Sequence, residues 1–218
     1  VSRVPLNRPS CRITLAPRLF ADHASLWPAV CARIREIIGT GRPVLIGTES
    51  VLDSEALASH LLAAGIAHSL LNARNDSEEA AIIARAGEAG RVTVATNMAG
   101  RGTDILLGPK VAERGGLHII NCQLNDARRI DRQLIGRCAR QGDPGSVETW
   151  LSLDNRLLCK KLPPWLRRWL SRQCPITSPR LLAGVFSWPQ GQQEKDDYLL
   201  RRRLLDHTKR QNRQLAFS

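Results

Sequence analysis

A chain of 218 residues with 43% hydrophobic content holds enough apolar material for one packed domain plus an appendage, and with only 4% aromatic residues its core must be built from Val, Ile, Leu and Ala. The formal net charge of +12 is concentrated near the C-terminal end: residues 1–155 carry 18 basic and 16 acidic side chains, whereas residues 156–218 carry 14 and 4. No apolar run reaches membrane-span length, the N-terminal stretch lacks the apolar centre of a signal peptide, and Cys11, Cys31, Cys122, Cys138, Cys159 and Cys174 form no C-x-x-C pair and have no His at zinc spacing, so a secreted disulfide scaffold, a zinc module and a spanning protein are excluded and reduced thiols in a cytosolic protein are expected.

In chain order, Pro5, Pro9 and Pro17 surround Cys11-Arg12-Ile13-Thr14-Leu15, which predicts an extended connector over residues 1–17 that leads into a short strand. A helix is predicted over residues 21–38, with Leu26, Val30, Ile34 and Ile37 on one face and Gly39 and Gly41 ending it. Residues 43–48 read as a buried strand, and Asp53 or Ser54 as the cap of a helix over 55–64. A short strand at 69–71, a helix starting near Ser77 with Glu78 and Glu79 in its first turn, and strands at 92–96 and 117–120 follow. His118, inside the last of these, reads as a satisfied structural histidine. Strand and helix alternating at this spacing predict an α/β fold with a parallel sheet covered on both faces. Residues 147–153 form the last predicted strand.

Beyond it, residues 163–170 predict a short amphipathic helix. Its Trp165 and Trp169 are four apart and flanked by Arg; they are expected to pack against the domain, with a membrane-surface contact as the alternative. A Pro-, Ser- and Gly-punctuated linker runs to about residue 191, and an Arg-rich helix with a Leu199, Leu200, Leu204, Leu205 stripe completes the chain. The domain reading is thus 1–17, 18–158, 159–191 and 192–218. The basic tail suits an anionic partner, whether lipid head groups, nucleic acid or an acidic protein face.

The chemistry concentrates between residues 92 and 145. In a parallel sheet, ligands sit at the carboxyl ends of the strands, and after the strand at 92–96 Gly100 and Gly102 let backbone approach a ligand closely. Asp104 is placed to accept from a ribose hydroxyl or to hold a neighbouring cation. If a helix starts at Asp126, then Gln133, Gly136, Arg137 and Arg140 share one face, and two guanidinium groups one turn apart suit a polyphosphate. Thr48-Glu49-Ser50, at another strand end, reads on its own as ordinary loop polarity with an N-cap.

These stretches resemble motifs V and VI of superfamily 2 helicase and translocase motors. More narrowly, Thr96-Asn97-Met98-Ala99-Gly100-Arg101-Gly102-Thr103-Asp104, then Arg128-Arg129-Ile130-Asp131-Arg132-Gln133-Leu134-Ile135-Gly136-Arg137-Cys138-Ala139-Arg140-Gln141-Gly142-Asp143-Pro144-Gly145, closely resemble the second nucleotide-binding domain of the SecA preprotein translocase ATPase family. Pro5-Leu6-Asn7-Arg8-Pro9 is similar to that family's opening motif, and residues 198–207 to the start of its long scaffold helix. The resemblance implies a RecA-like fold with a C-terminal helical extension, and ATP with magnesium held only at an interface with a first RecA-like motor domain. It also implies that Arg137 and Arg140 complete the phosphate site, with Gly100, Arg101, Gly102, Asp104, Gln141 and Thr48 as nucleotide contacts. It further implies a protein-conducting membrane channel and a preprotein as partners, and a cytoplasmic location that extends to the inner face of the plasma membrane.

The sequence departs from the family between residues 121 and 127, where Asn-Cys-Gln-Leu-Asn-Asp-Ala stands in place of Gly-Thr-Glu-Arg-His-Glu-Ser, and at Ile135, where Arg is usual. None of Lys110, Lys160, Lys161, Lys195 and Lys209 follows a glycine, so a phosphate-binding loop of the G-x-x-x-x-G-K type is expected from another domain, and this chain is not expected to hydrolyse ATP alone. The alternatives are the C-terminal half of an RNA or DNA helicase, whose basic tail would track nucleic acid, and a diverged, non-catalytic docking module.

Overall fold

Val44–Thr48, Val92–Thr96 and Leu117–Cys122 are mostly apolar and buried at nearly every position, a pattern suited to strands covered on both faces. In the computed structural model, which describes residues 8–71, 79–96 and 103–215, they form the centre of a parallel sheet. Among the described residues the strands are β1 (Cys11–Thr14), β2 (Arg18–Phe20), β3 (Val44–Thr48), β4 (Ser69–Leu71), β5 (Val92–Thr96), β6 (Leu117–Cys122) and β7 (Pro144–Ser152), in the order β1-β7-β6-β3-β5-β4. β2 lies beside the second half of β7, so β1 and β2 make one edge interrupted near Pro17, where the chain lacks a donor for the ladder.

Helices α1 (His23–Gly39) and α2 (Val51–Ala63) cover one face, and Leu26, Val30, Ile34 and Ile37 pack there with Ile46, Val94 and Ile120 as their spacing predicts. Helices α3 (Glu79–Arg85) and α4 (Arg128–Ile135) cover the other, where Ile83 and Leu134 meet Leu45 and Ile119. The expected RecA-like α/β fold with a C-terminal helical extension is the one found. The cap of α2 differs from expectation: Ser50, not Asp53 or Ser54, is the N-cap, and Asp53 is its capping-box partner, accepting from the Ser50 backbone while Ser50 Oγ accepts from Asp53 N at 3.0 Å. Ser77 and Glu78 lie outside the described residues.

His118 is a satisfied core histidine. Its Nδ1 is 2.7 Å from Ser146 Oγ and its Nε2 2.7 Å from Glu148 Oε1, while Arg33 Nε and Trp150 Nε1 also donate to the Glu148 carboxylate. Burial opposes the charge of Glu148, but the His118 and Arg33 hydrogen bonds outweigh it and hold the carboxyl below its ordinary range. Burial likewise holds the His118 imidazole below its ordinary value, against the pull of Glu148.

A third core joins β2 and β7 to α5 (Arg156–Lys161), α6 (Pro164–Gln173) and the start of α7 (Pro179–Leu215), with Leu19, Leu151, Leu157, Leu158, Leu170 and Leu182 fully buried. Two expectations fail here. The linker predicted up to residue 191 is helical from Pro179, because Leu182, Val185, Gln190 and Gln193 are buried and this packing overrides Gly184, Pro189 and Gly191. Trp165 and Trp169 do not pack on the domain: α6 buries Leu170 and partly Leu166 instead, and the tryptophans, one position away, are left 69% and 49% exposed.

Candidate functional site

Two glycines let α4 and the turn after it lie down on the sheet. A Cβ at Gly47 would stand 2.1 Å from Leu134 Cδ2, and one at Gly145 would stand 2.3 Å from Cys138 Sγ and close to the Leu117 carbonyl. Strands β3 and β7 therefore leave a shallow bed for Leu134 and Cys138. Burial pushes the Cys138 thiol up to about 11, which makes it a packing group and not a nucleophile.

α4 starts at Arg128 without a side-chain cap and stops at Gly136, so the single helix face expected to carry Gln133, Gly136, Arg137 and Arg140 is not what forms. The chain must turn sharply to enter β7 at Pro144. It does so through Ala139 at φ 58° and Gln141 at φ 51°, both left-handed, with a one-turn 3-10 segment over Arg140–Gly142. A non-glycine residue in this region costs on the order of 1 kcal/mol or more. The turn nevertheless brings the expected residues together: Gln133, Gly136, Arg137 and Arg140 line one cavity of about 290 Å³, whose floor is Leu45, Thr93 and Ala95.

Arg140 is held from two sides. Its Nη1 donates to Asp104 Oδ1 at 2.6 Å and its Nε to the Gly136 carbonyl at 2.9 Å. Asp104 thus pairs with a neighbouring cation, the Arg140 guanidinium. Both side chains are about 40% exposed, so solvent screens the pair and its contribution is orientation more than stability. Arg12 Nη1 donates to the Ile135 carbonyl at 3.2 Å and ties β1 to the end of α4. Two guanidinium groups, the Gln133 amide and Thr96 at one cavity match the oxygens of a phosphate chain in donor type. Among the described residues no group of three His, Cys, Asp or Glu could hold a metal ion.

Thr48 stands apart from this cluster. It is fully buried, shares the Ile46 face of β3 where α1 and α2 pack, and its hydroxyl has no hydrogen-bond partner. Glu49 is engaged by Asn155 Nδ2 at 2.6 Å and Arg156 Nε at 3.0 Å, and Ser50 by the cap. The expected contribution of Thr48 to nucleotide contacts therefore has no exposed surface to act through. Gly100, Arg101 and Gly102 lie outside the described residues, and Gln141 is exposed on the turn.

One link was not legible in the sequence. Asp131, buried in α4, accepts from Asn125 and from Gln190 Nε2 of α7, and Gln190 also donates to the Asn125 carbonyl at 3.0 Å. Burial pushes the Asp131 carboxyl up against the effect of these donors. Asn125, in the segment that departs from the resembled family pattern, thus helps clasp α4, the helix that leads into the arginine turn, to α7.

The comparison that decides the family is a match of the family model described as the SecA P-loop domain to residues 9–113 and 109–172. The chain belongs to the SecA P-loop domain family. It is 44% identical over 216 residues to protein translocase subunit SecA 2 of Magnetococcus marinus, covering 98% of this chain and 33% of that protein. It is 55% identical over 157 residues to the SecA 2 subunit of Nitrosospira multiformis, covering 72% of this chain and 24% of that protein. The chain thus spans at most about a third of the length of these SecA relatives. Among solved structures, the E. coli DEAD-box protein SrmB superposes with a TM-score of 0.53 at 20% identity over 75% of this chain and 87% of that one. The yeast DEAD-box splicing factor Prp28 does so with 0.53 at 16% identity over 83% and 38%. At these identities the likeness is one of fold, the RecA-like α/β fold.

Proposed function

We propose that this domain is the second of the two RecA-like halves of a SecA-like protein-translocating ATPase, and that it closes an ATP site whose phosphate-binding loop and magnesium carboxylates belong to a first half. The convergence of Arg137 and Arg140 on one cavity, although the helix ends at Ile135 before both of them, carries this reading. The γ-phosphate of ATP would meet these two guanidinium groups; bound there, ATP supplies the phosphoanhydride whose cleavage drives the motor. Arg140, aimed by Asp104 and the Gly136 carbonyl, would hold charge that develops on the phosphoryl oxygens without reorganising. Arg101 and Gln141 would complete the face that meets the first half, and the preprotein and membrane channel would be engaged by the assembled motor.

The test uses both halves together. Arginines in this role contribute roughly three to five orders of magnitude to turnover in NTPases. Arg137→Ala and Arg140→Ala should each lower the ATPase rate of the reconstituted pair steeply while circular dichroism and the unfolding midpoint stay unchanged. The isolated domain should show no hydrolysis above background. Wild-type turnover in the variants, or ordinary turnover by this domain alone, would overturn the assignment. Preferential, saturable binding of single-stranded RNA over an unfolded preprotein would move it to the helicase reading.

A further inference from the structure

The cavity that gathers Arg137 and Arg140 has a third guanidinium group. Arg132, in the last turn of α4, lines it beside them, and among the described residues that line it none is Asp or Glu. Three arginines nearby are engaged by protein groups: Arg140 by Asp104 and the Gly136 carbonyl, Arg12 by the Ile135 carbonyl, and Arg128 by the Ser187 carbonyl at 3.0 Å. The Arg132 guanidinium is exposed and has no hydrogen bond or ion pair among the described residues. On an open helix face such an arginine needs no partner but water. Here it stands at a helix end that lines a cavity. The carbonyl end of a helix carries partial negative charge and disfavours an anion beside it. The Ile135 and Gly136 carbonyls at that end are already covered by Arg12 and Arg140. Arg132, one turn before Gly136, adds a full positive charge to the same end.

We propose that Arg132 is a third phosphate-chain contact of this site, one that binds non-bridging oxygens of a triphosphate next to the phosphoryl group met by Arg137 and Arg140; the proposal rests on the ATP-site reading above. Its freedom sets its role. Arg140 is fixed by two hydrogen bonds and holds developing charge without reorganising, whereas Arg132 is ordered only when the ligand arrives. Arg132 therefore contributes to holding the nucleotide and not to speeding the transfer. An interaction made equally in the bound ground state and in the transition state lowers KM and leaves kcat alone. A guanidinium group can also stack on a planar base. Stacking gains nothing from three like charges gathered at one cavity, while a polyphosphate neutralises them and offers each a multidentate acceptor.

The experiment titrates the full chain with sodium tripolyphosphate at low salt and follows the backbone amides of residues 132–140 by NMR. Saturable shifts are expected from the parent. Arg132→Ala should bind at least about tenfold more weakly, the loss that one charge-assisted contact implies, with Arg132→Lys between the two. Because Arg132 is exposed, the unfolding midpoints of both variants should match that of the parent. In the reconstituted pair Arg132→Ala should raise KM for ATP by a similar factor and leave kcat within about threefold, in contrast to the fall in kcat expected for Arg137→Ala and Arg140→Ala. Equal tripolyphosphate binding by the parent and Arg132→Ala, or no shift in the parent, would overturn the proposal. So would a fall in kcat at unchanged KM, or weaker ATP binding with tripolyphosphate binding intact, which would move the contact to the base or ribose. If Arg137→Ala and Arg140→Ala turn over ATP normally, the ATP-site reading fails by itself, and the tripolyphosphate titration still decides whether Arg132 binds phosphate.

Discussion

At the scale of single residues, the best-defined polar group is the buried carboxylate of Glu148, which meets His118, Arg33 and Trp150 at once. Both ionisable partners titrate low, and the sign of each effect on stability is the same. The unfolded chain takes up a proton on His118 as pH falls through its ordinary value of 6.5, while the folded imidazole stays neutral, so stability is lost from there downward. The Glu148 contribution is full above the ordinary carboxyl value of 4.5 and is lost as pH falls through the depressed folded value. Glu148→Gln should cost about 1–3 kcal/mol at pH 7, since Arg33 and His118 lose a charged acceptor. It should also remove the lower of the two acid transitions. Urea unfolding between pH 7 and pH 3.5 checks this; parallel curves for the parent and the variant would show that Glu148 does not carry the acid sensitivity.

At the scale of elements, the strands and α1 were legible because burial on both faces and a 3.6-residue apolar spacing leave direct marks on the sequence. The turn that builds the arginine site left no such mark. Ala139 and Gln141 have no propensity for positive φ, and only the demand to leave α4 and enter β7 within a few residues places them there. The start of α7 departs from its local signals for a related reason: Pro189 and Gly184 signal a break, yet the burial of Leu182 and Gln190 outweighs them. Tertiary packing wins over local preference wherever the buried groups flank the weak point. Gly145 is where this can be tested on the site. A Cβ there meets the Cys138 sulfur and the backbone at Leu117 and Ala139, so Gly145→Ala should cost about 1–3 kcal/mol as an overpacked contact. It should also displace the turn, and in the reconstituted motor the ATPase rate should fall more than Gly145's distance from any substrate would suggest. An unchanged unfolding midpoint would mean the bed under Cys138 is more yielding than the geometry indicates.

On the scale of the whole molecule, the sheet with its two helical layers is continuous with the third core, and α7 leaves that core as a strut. Its two halves have opposite surroundings. Up to Asp197 it is fastened by Leu182 and Val185, by Gln190 to Asp131, by the Glu194 carboxylate to the Arg128 N–H at 2.9 Å, and by Lys161 to Asp196 at 2.6 Å. Beyond that point Tyr198, Leu199, Leu200, Leu204 and Leu205 are 48–62% exposed, and the side-chain hydrogen bonds described there, Arg201 Nε to the Asp197 carbonyl and Thr208 Oγ1 to the Leu204 carbonyl, stay within the helix. An isolated helical stretch of that length is marginal in water. Amide hydrogen exchange should therefore show strong protection from about Leu182 to Glu194 and little beyond Leu200. A chain ending at Asp197 should unfold within about 0.5 kcal/mol of the full chain, the range usual for changes remote from any packed feature. If the truncated chain is instead several kcal/mol weaker, or the distal amides exchange as slowly as those beside Gln190, the distal half has a partner on this domain and is not a free strut.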